Sequence, residues 1–148
     1  MARSIEREIR VEASPEVVYE VVSSPEHLRE WWPDDADLDA VPGAIGTVSF
    51  GDRSKPDMNV VAVTVVEADP PRRFSFRWDY DGEVATAANS LLVTFDLIPS
   101  DGGTLLRFAE TGYDEAAKSD ETYHDHASGW AYFLPRLAPY VDRLVSKP

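Results

Sequence analysis

Glu110 and His126 are the residues whose types and placement suit acid–base chemistry. Glu110 shares one face of an alternating run with Leu106 and Phe108, and a carboxyl among apolar neighbours is a candidate general acid or base. His126, on a helical pattern that would lie opposite, completes a conceivable proton-transfer pair. The competing and favoured reading puts Glu110 at a sheet's end, hydrated or bonded to the long helix. His124 and His126 tempt a metal reading, but helix residues two apart point roughly 200° from each other and cannot chelate one ion. Asp34, Asp35, Asp37 and Asp39 lack the glycine turn and terminal glutamate of a calcium loop, so they read as a solvated acidic loop or edge strand. Tyr80, Asn89 and Asp96 are secondary candidates; Asp96 shares a face with Thr94, which suits the exposed side. No Ser-His-Asp order, phosphate-cradling glycine loop or dinucleotide fingerprint occurs. Neither metal nor cofactor is expected, and nothing compels catalysis.

The element that must position His126 is the last helical pattern, Asp120 to Val145. Tyr123, Trp130, Phe133, Leu134, Leu137, Val141 and Leu144 recur at three- and four-residue steps, one buried helix face. Ser119 or Asp120 can cap its start, and Glu121 suits the positive end of the dipole. Gly129 sits mid-helix, where glycine costs about 1 kcal/mol relative to alanine. Room is therefore needed there, for a neighbouring backbone or for a bound molecule. Pro135 and Pro139 remove interior hydrogen bonds and predict a bend near Tyr132 to Leu137.

The elements before it read mostly as strands. Ser4 to Glu12 alternates, with Ile5, Ile9 and Val11 on one side and Arg7 the exception there. Ser14-Pro15-Glu16 and Ser24-Pro25-Glu26 each start a short helix, the second running through Trp31 with His27 on its exposed side. Of the adjacent Trp31 and Trp32, one suits the core and the other a cavity mouth. A turn at Val41 to Gly46 leads into a strand at Thr47 to Phe50, then a loop at Gly51 to Asp57. Met58 to Glu67 is apolar on both faces, which predicts cover on each: helix on one, loops or a subunit on the other. Phe74, Phe76, Trp78 and Tyr80 alternate with polar residues along the next strand. An Asp81-Gly82 turn precedes strands at Ser90 to Ile98 and Thr104 to Thr111. The order β, α, α, about six strands and one long helix predicts an α+β fold.

Composition sets the outer limits. The 148 residues suit one domain, 1–148, and 43% of them are hydrophobic. No run approaches the roughly 20 apolar residues of a membrane span, so no membrane partner is expected. The first residues lack a signal's apolar core, and the cytoplasm is the expected location. The absence of cysteine excludes disulfides and thiolate chemistry. A net charge of −13 argues against nucleic-acid binding, which needs a basic patch. The acidity serves solubility, with a basic protein partner as the remaining reading.

Several motifs together resemble the helix-grip, START-like superfamily. They are Ser14-Pro15-Glu16-Val17-Val18-Tyr19, Ser24-Pro25-Glu26-His27-Leu28, Trp31-Trp32, Asp69-Pro70-Pro71-Arg72-Arg73-Phe74, Gly103-Thr104-Leu105-Leu106, and His126 through Gly129-Trp130 to Leu134 and Leu137. Within it the chain is most similar to the C-terminal domain of the Hsp90 ATPase activator and its bacterial single-domain relatives. It departs from that pattern at Val41 to Gly46, where the family carries a Gly-Gly pair, and at Pro135 and Pro139. The resemblance implies a curved antiparallel sheet of six or seven strands gripping the long helix, with an apolar cavity between. The expected lining is Trp31, Trp32, Phe74, Phe76, Trp78, Tyr80, Phe95, Phe108, His126, Trp130 and Phe133. The first functional expectation is a binding module for a hydrophobic or aromatic small molecule. The alternatives are a cyclase- or hydratase-like enzyme using Glu110 and His126, and a chaperone-like interaction domain. An apolar patch near Trp31-Trp32 or on Met58 to Glu67 would serve the last, or a homodimer.

Overall fold

The computed structural model describes residues 3–51, 59–80 and 84–146. The expected Asp81-Gly82 turn, and the loop after Gly51, lie outside the described residues.

In chain order the elements are β1 (Ile5–Val11), α1 (Pro15–Ser23), α2 (Pro25–Trp31), β2 (Asp35–Asp37), β3 (Ile45–Phe50), β4 (Asn59–Asp69), β5 (Arg73–Trp78), β6 (Leu91–Ser100), β7 (Gly103–Thr111), α3 (Asp120–Phe133) and α4 (Leu137–Ser146). The seven strands form one antiparallel sheet in the order β1-β7-β6-β5-β4-β3-β2. The first strand closes on the last, because Ile5 pairs with Glu110 and Val11 with Thr104. The helices lie on one side, and the expected α+β helix-grip arrangement is what the chain adopts.

Local chemistry accounts for the starts. The Ser14 hydroxyl accepts from the Val17 N–H at 3.4 Å, Pro15 opens α1, and Glu16 sits in its first turn. α3 begins the same way, with the Ser119 hydroxyl accepting from the Thr122 N–H at 3.0 Å. The last helix is interrupted by a 3-10 turn at Leu134–Arg136, at the predicted bend. Pro135 falls inside that turn. Pro139 instead occupies the first turn of α4, where a missing N–H costs little. It helps start a new helix rather than break an old one.

The inner face of the sheet supplies the core. Phe74, Phe76 and Trp78 of β5, Leu91, Val93, Phe95 and Leu97 of β6, and Leu106 and Phe108 of β7 are all buried. Each such side chain contributes about 1.5–3 kcal/mol by leaving water. Val18, Val21 and Val22 of α1 and Leu137 and Val141 of α4 cover them. Trp31 is fully buried, its ring edge-on to Phe95 and its indole N–H bonded to Val21 O at 3.0 Å.

Of the two covers expected on β4, the chain itself supplies the inner one: Val63 and Val65 are buried, whereas Val60 on the outer face is 51% exposed. The valines reflect strand propensity as much as burial. His27 is not on an exposed side; it is half-buried, with Nδ1 2.6 Å from the Tyr140 hydroxyl, tying α2 to α4.

Candidate functional site

Alternation along β7 turns Leu106, Phe108 and Glu110 to the same inner face, so a carboxyl lands where the strand otherwise presents apolar groups. Glu110 is completely buried. α3 crosses above it, and His126 and Trp130, four residues apart, share the helix face that meets it. The Trp130 Nε1 donates to Oε1 at 3.2 Å, and His126 Nδ1 lies 3.0 Å from both carboxylate oxygens. From β5, Trp78 Nε1 donates to Oε2 at 2.7 Å. The Tyr113 hydroxyl, just past the end of β7, donates to Oε1. Donors from two strand ends and the helix thus converge on one carboxyl, which suits an acceptor-only carboxylate. Among the described residues no buried side-chain polar atom lacks a partner.

This network sets the titration of its members. Burial opposes protonation of His126, but its hydrogen bond to Glu110 and the charges of Glu110, Asp79 and Asp125 outweigh that, so its pKa is raised. Burial first, then the charge and hydrogen bond of Glu110, push the Tyr113 hydroxyl far above the usual tyrosine range. The other imidazole nitrogen, His126 Nε2, lies 3.6 Å from Asp79 Oδ2, beyond hydrogen-bond reach. Lys118 donates to the Asp79 carbonyl and sits 3.8 Å from its Oδ2.

Beside the network, at the α3–sheet junction, is a cleft of about 110 Å³ lined by Trp32, Phe50, Trp78, Asp125, His126, Gly129, Trp130 and Phe133. Of the residues expected to line a cavity, Trp32, Trp78, His126, Trp130 and Phe133 do so here. Trp31, Phe74, Phe76, Phe95 and Phe108 are packed in the core. Rings fill the space a larger cavity would need. Trp32 stacks with Phe76, at 5.7 Å, and with Trp130, at 5.0 Å, and Phe108 closes on Trp130 at 4.6 Å. Where an apolar cavity was expected the structure has a small cleft, well below the roughly 300–1,000 Å³ of drug-sized pockets.

Tyr80 stands apart from the lining. β5 ends at Trp78, and Asp79 takes a φ of 60°, which breaks the alternation. The Tyr80 hydroxyl instead meets Thr64 Oγ1 at 2.8 Å, outside the cleft. Of the secondary candidates, Asp96 pairs with Arg73 at 2.6 Å on the outer face, and Asn89 bonds within its own turn. His124 is exposed, and no cluster of three metal-ligating side chains occurs among the described residues.

Sequence reading did not find Tyr113, Asp79, Phe50 and Asp125. Tyr113 and Asp79 lie just past strand ends, where periodicity carries no information. The available signal was chemical: buried tryptophans and tyrosines seek partners for their N–H and O–H groups, and Glu110 was the carboxyl on that apolar face.

The model of the family described as activator of Hsp90 ATPase homolog 1-like protein matches residues 12–142. The chain belongs to this family. Solved structures agree on the fold of this Hsp90-activator-like chain. Protein MLL2253 from Mesorhizobium loti is 22% identical, with a TM-score of 0.76 over 95% of this chain and 98% of that one. CalU16 from Micromonospora echinospora is 21% identical, with a TM-score of 0.70 over 95% of this chain and 74% of its own. The Aha1 dimer from Colwellia psychrerythraea is 23% identical, with a TM-score of 0.69 over 92% and 93%. No curated protein matches the sequence. In this Hsp90-activator-like chain no helix among the described residues is long and apolar enough to cross a membrane.

Proposed function

We propose that this chain is a small-molecule binding module that takes an apolar or aromatic group into the cleft between the sheet and α3. The observation that carries the reading is Gly129. Glycine in mid-helix costs about 1 kcal/mol relative to alanine. Close packing does not account for it, because a Cβ built there meets nothing within 4 Å. The space in front of it is the aromatic cleft. A side chain at position 129 would occupy the volume a ligand needs. A cavity of about 150 Å³ holds benzene, so a cleft of about 110 Å³ suits a short apolar chain, or a single ring that projects from its mouth, rather than a polycycle.

The test is a titration of tryptophan fluorescence with small aromatic compounds, supported by native mass spectrometry. Trp32, Trp78 and Trp130 border the cleft, so occupancy changes the emission. Wild type responds and Gly129→Leu, still folded, does not. Equal responses from both would remove the cleft from the account.

A second reading concerns a partner surface. Trp31 and Trp32 are buried and expose no patch. The outer face of the sheet does expose Ile45, at 66%, and Val60, and Val66, at a bulge in β4, is exposed as well. A solved relative is described as a dimer. Self-association through this face is the corresponding expectation, and sedimentation of wild type against Val60→Lys tests it.

A further inference from the structure

Asp125 gives the aromatic cleft a charge. Five rings border the cleft: Trp32 just past α2, Phe50 of β3, Trp78 of β5, and Trp130 and Phe133 of α3. Several of them are steeply inclined to one another, Trp32 to Trp78 by 66°, Trp78 to Trp130 by 53° and Phe50 to Phe133 by 47°. Rings set at such angles enclose a space instead of forming one flat stack. Asp125 lines the same space, one helix turn before Gly129. It is exposed, and no described residue hydrogen-bonds or pairs with its carboxylate. Its charge acts on the ring of His126, another residue of the lining.

We infer that the cleft takes the head of a small quaternary ammonium ion, with the rings as its cage and Asp125 as its counter-charge. This rests on the reading of the cleft as a ligand site and names the class of ligand. The face of an aromatic ring is electron-rich and attracts a cation within about 6 Å of its centre. A head seated before Gly129 would stand roughly 5–6 Å from the position of Asp125, the spacing of neighbours one turn apart.

Size, hydrogen bonding and charge each select this class. A trimethylammonium head has fewer heavy atoms than benzene, which needs about 150 Å³, and so suits a cleft of about 110 Å³. Tryptophan and phenylalanine side chains accept no conventional hydrogen bond, and the indole N–H groups of Trp78 and Trp130 are spent on Glu110. A primary ammonium would bring donors that these walls cannot satisfy, whereas a quaternary ion has none. Of the residues lining the cleft, Asp125 and His126 are those that carry charge. The charge on His126, when present, is paired with Glu110 at 3.0 Å, which leaves that of Asp125 uncompensated. Lys118 is engaged by Asp79, and Arg136 stands over the Tyr132 and Phe133 rings at 5.6 and 5.9 Å; neither borders the cleft. An anion would meet Asp125 unfavourably. A cation meets the opposite sign, on a chain whose net charge is −13.

The test compares choline with 3,3-dimethylbutan-1-ol, which has the same shape with carbon in place of the charged nitrogen. Tryptophan fluorescence and proton NMR follow both titrations. Wild type is expected to bind choline about tenfold more tightly, the scale of a partly desolvated cation on aromatic rings. Added salt and Asp125→Asn should each narrow that preference, because the carboxylate is exposed and acts through its charge. Phe133→Leu, which keeps an apolar wall and removes the ring, should narrow it as well. Asp125 is exposed and Phe133 half-buried, so both variants should fold, and circular dichroism checks this. Equal binding of the two compounds, or tighter binding of the alcohol, overturns the ammonium inference and leaves an apolar ligand cleft standing. So does a lack of choline binding where small aromatic compounds do bind. A preference that neither variant narrows, or choline binding that persists in Gly129→Leu, puts the ion elsewhere and overturns the inference. No response to choline, the alcohol or the aromatic compounds overturns the cleft and its ligand together.

Discussion

Glu110 on β7 and His126 on α3 are sixteen residues apart in sequence and 3.0 Å apart in space, joined across the sheet–helix interface. That contact pins the helix to the sheet and directs the imidazole. The same network therefore serves stability and the character of the cleft, and the two roles separate by experiment.

Removing Glu110 leaves four buried or half-buried donors without an acceptor. Glu110→Ala is expected to destabilise the fold by about 3–5 kcal/mol, the cost of breaking a buried charged network from one side. Urea denaturation followed by circular dichroism measures it. A change under about 1 kcal/mol would mean that water replaces the carboxylate easily.

Tyr113→Phe removes one donor and leaves the carboxylate with three others. The expected loss is about 1.5–3 kcal/mol, smaller than for Glu110→Ala because no lone buried charge results. The ordering of the two variants on one denaturation series is the check.

Gly129→Ala separates packing from function. Its Cβ has open space, so helix propensity alone predicts a gain of up to about 1 kcal/mol. The same methyl group enters the cleft and should weaken aromatic binding. A thermal melt and a fluorescence titration of one preparation read both effects, and a destabilised protein would contradict the open space.

His126 predicts a dependence on pH with a definite sign. Its folded pKa is raised above the ordinary 6.5, so the charged ring is bound more favourably in the folded state. That contribution is fully present below about pH 6.5 and is lost as the pH rises through the raised value. Proton NMR of the ring follows the titration directly. Stability of wild type relative to His126→Phe should fall across the same interval, and parallel curves would remove His126 as the cause.

Trp32 stacks with Phe76 and with Trp130, and also borders the cleft. Trp32→Ala is expected to cost about 3–5 kcal/mol. It should also admit larger ring systems, which a titration with naphthalene-sized compounds would detect.

The sequence by itself determined the elements. Ser14-Pro15 and Ser24-Pro25 start helices because capping and proline chemistry are local. Alternation through Leu91–Leu97 and Leu106–Glu110 assigned the buried faces because strand period is a backbone property. The interruption at Pro135 followed from a missing N–H. What lay beyond local rules was how the side chains share the interior. Periodicity placed Trp31, Phe74, Phe95 and Phe108 on faces suited to a cavity, but ring against ring packing closed that space. Tyr80 left the row because one residue, Asp79, adopts a left-handed backbone. Above all, sequence offered Glu110 as an acid–base candidate with His126 or, as the favoured reading, as hydrated or helix-bonded. Only the tertiary structure brought Trp78, Tyr113, His126 and Trp130 to one carboxyl, because a buried charge is satisfied by groups that meet in space and carry no common period in the chain.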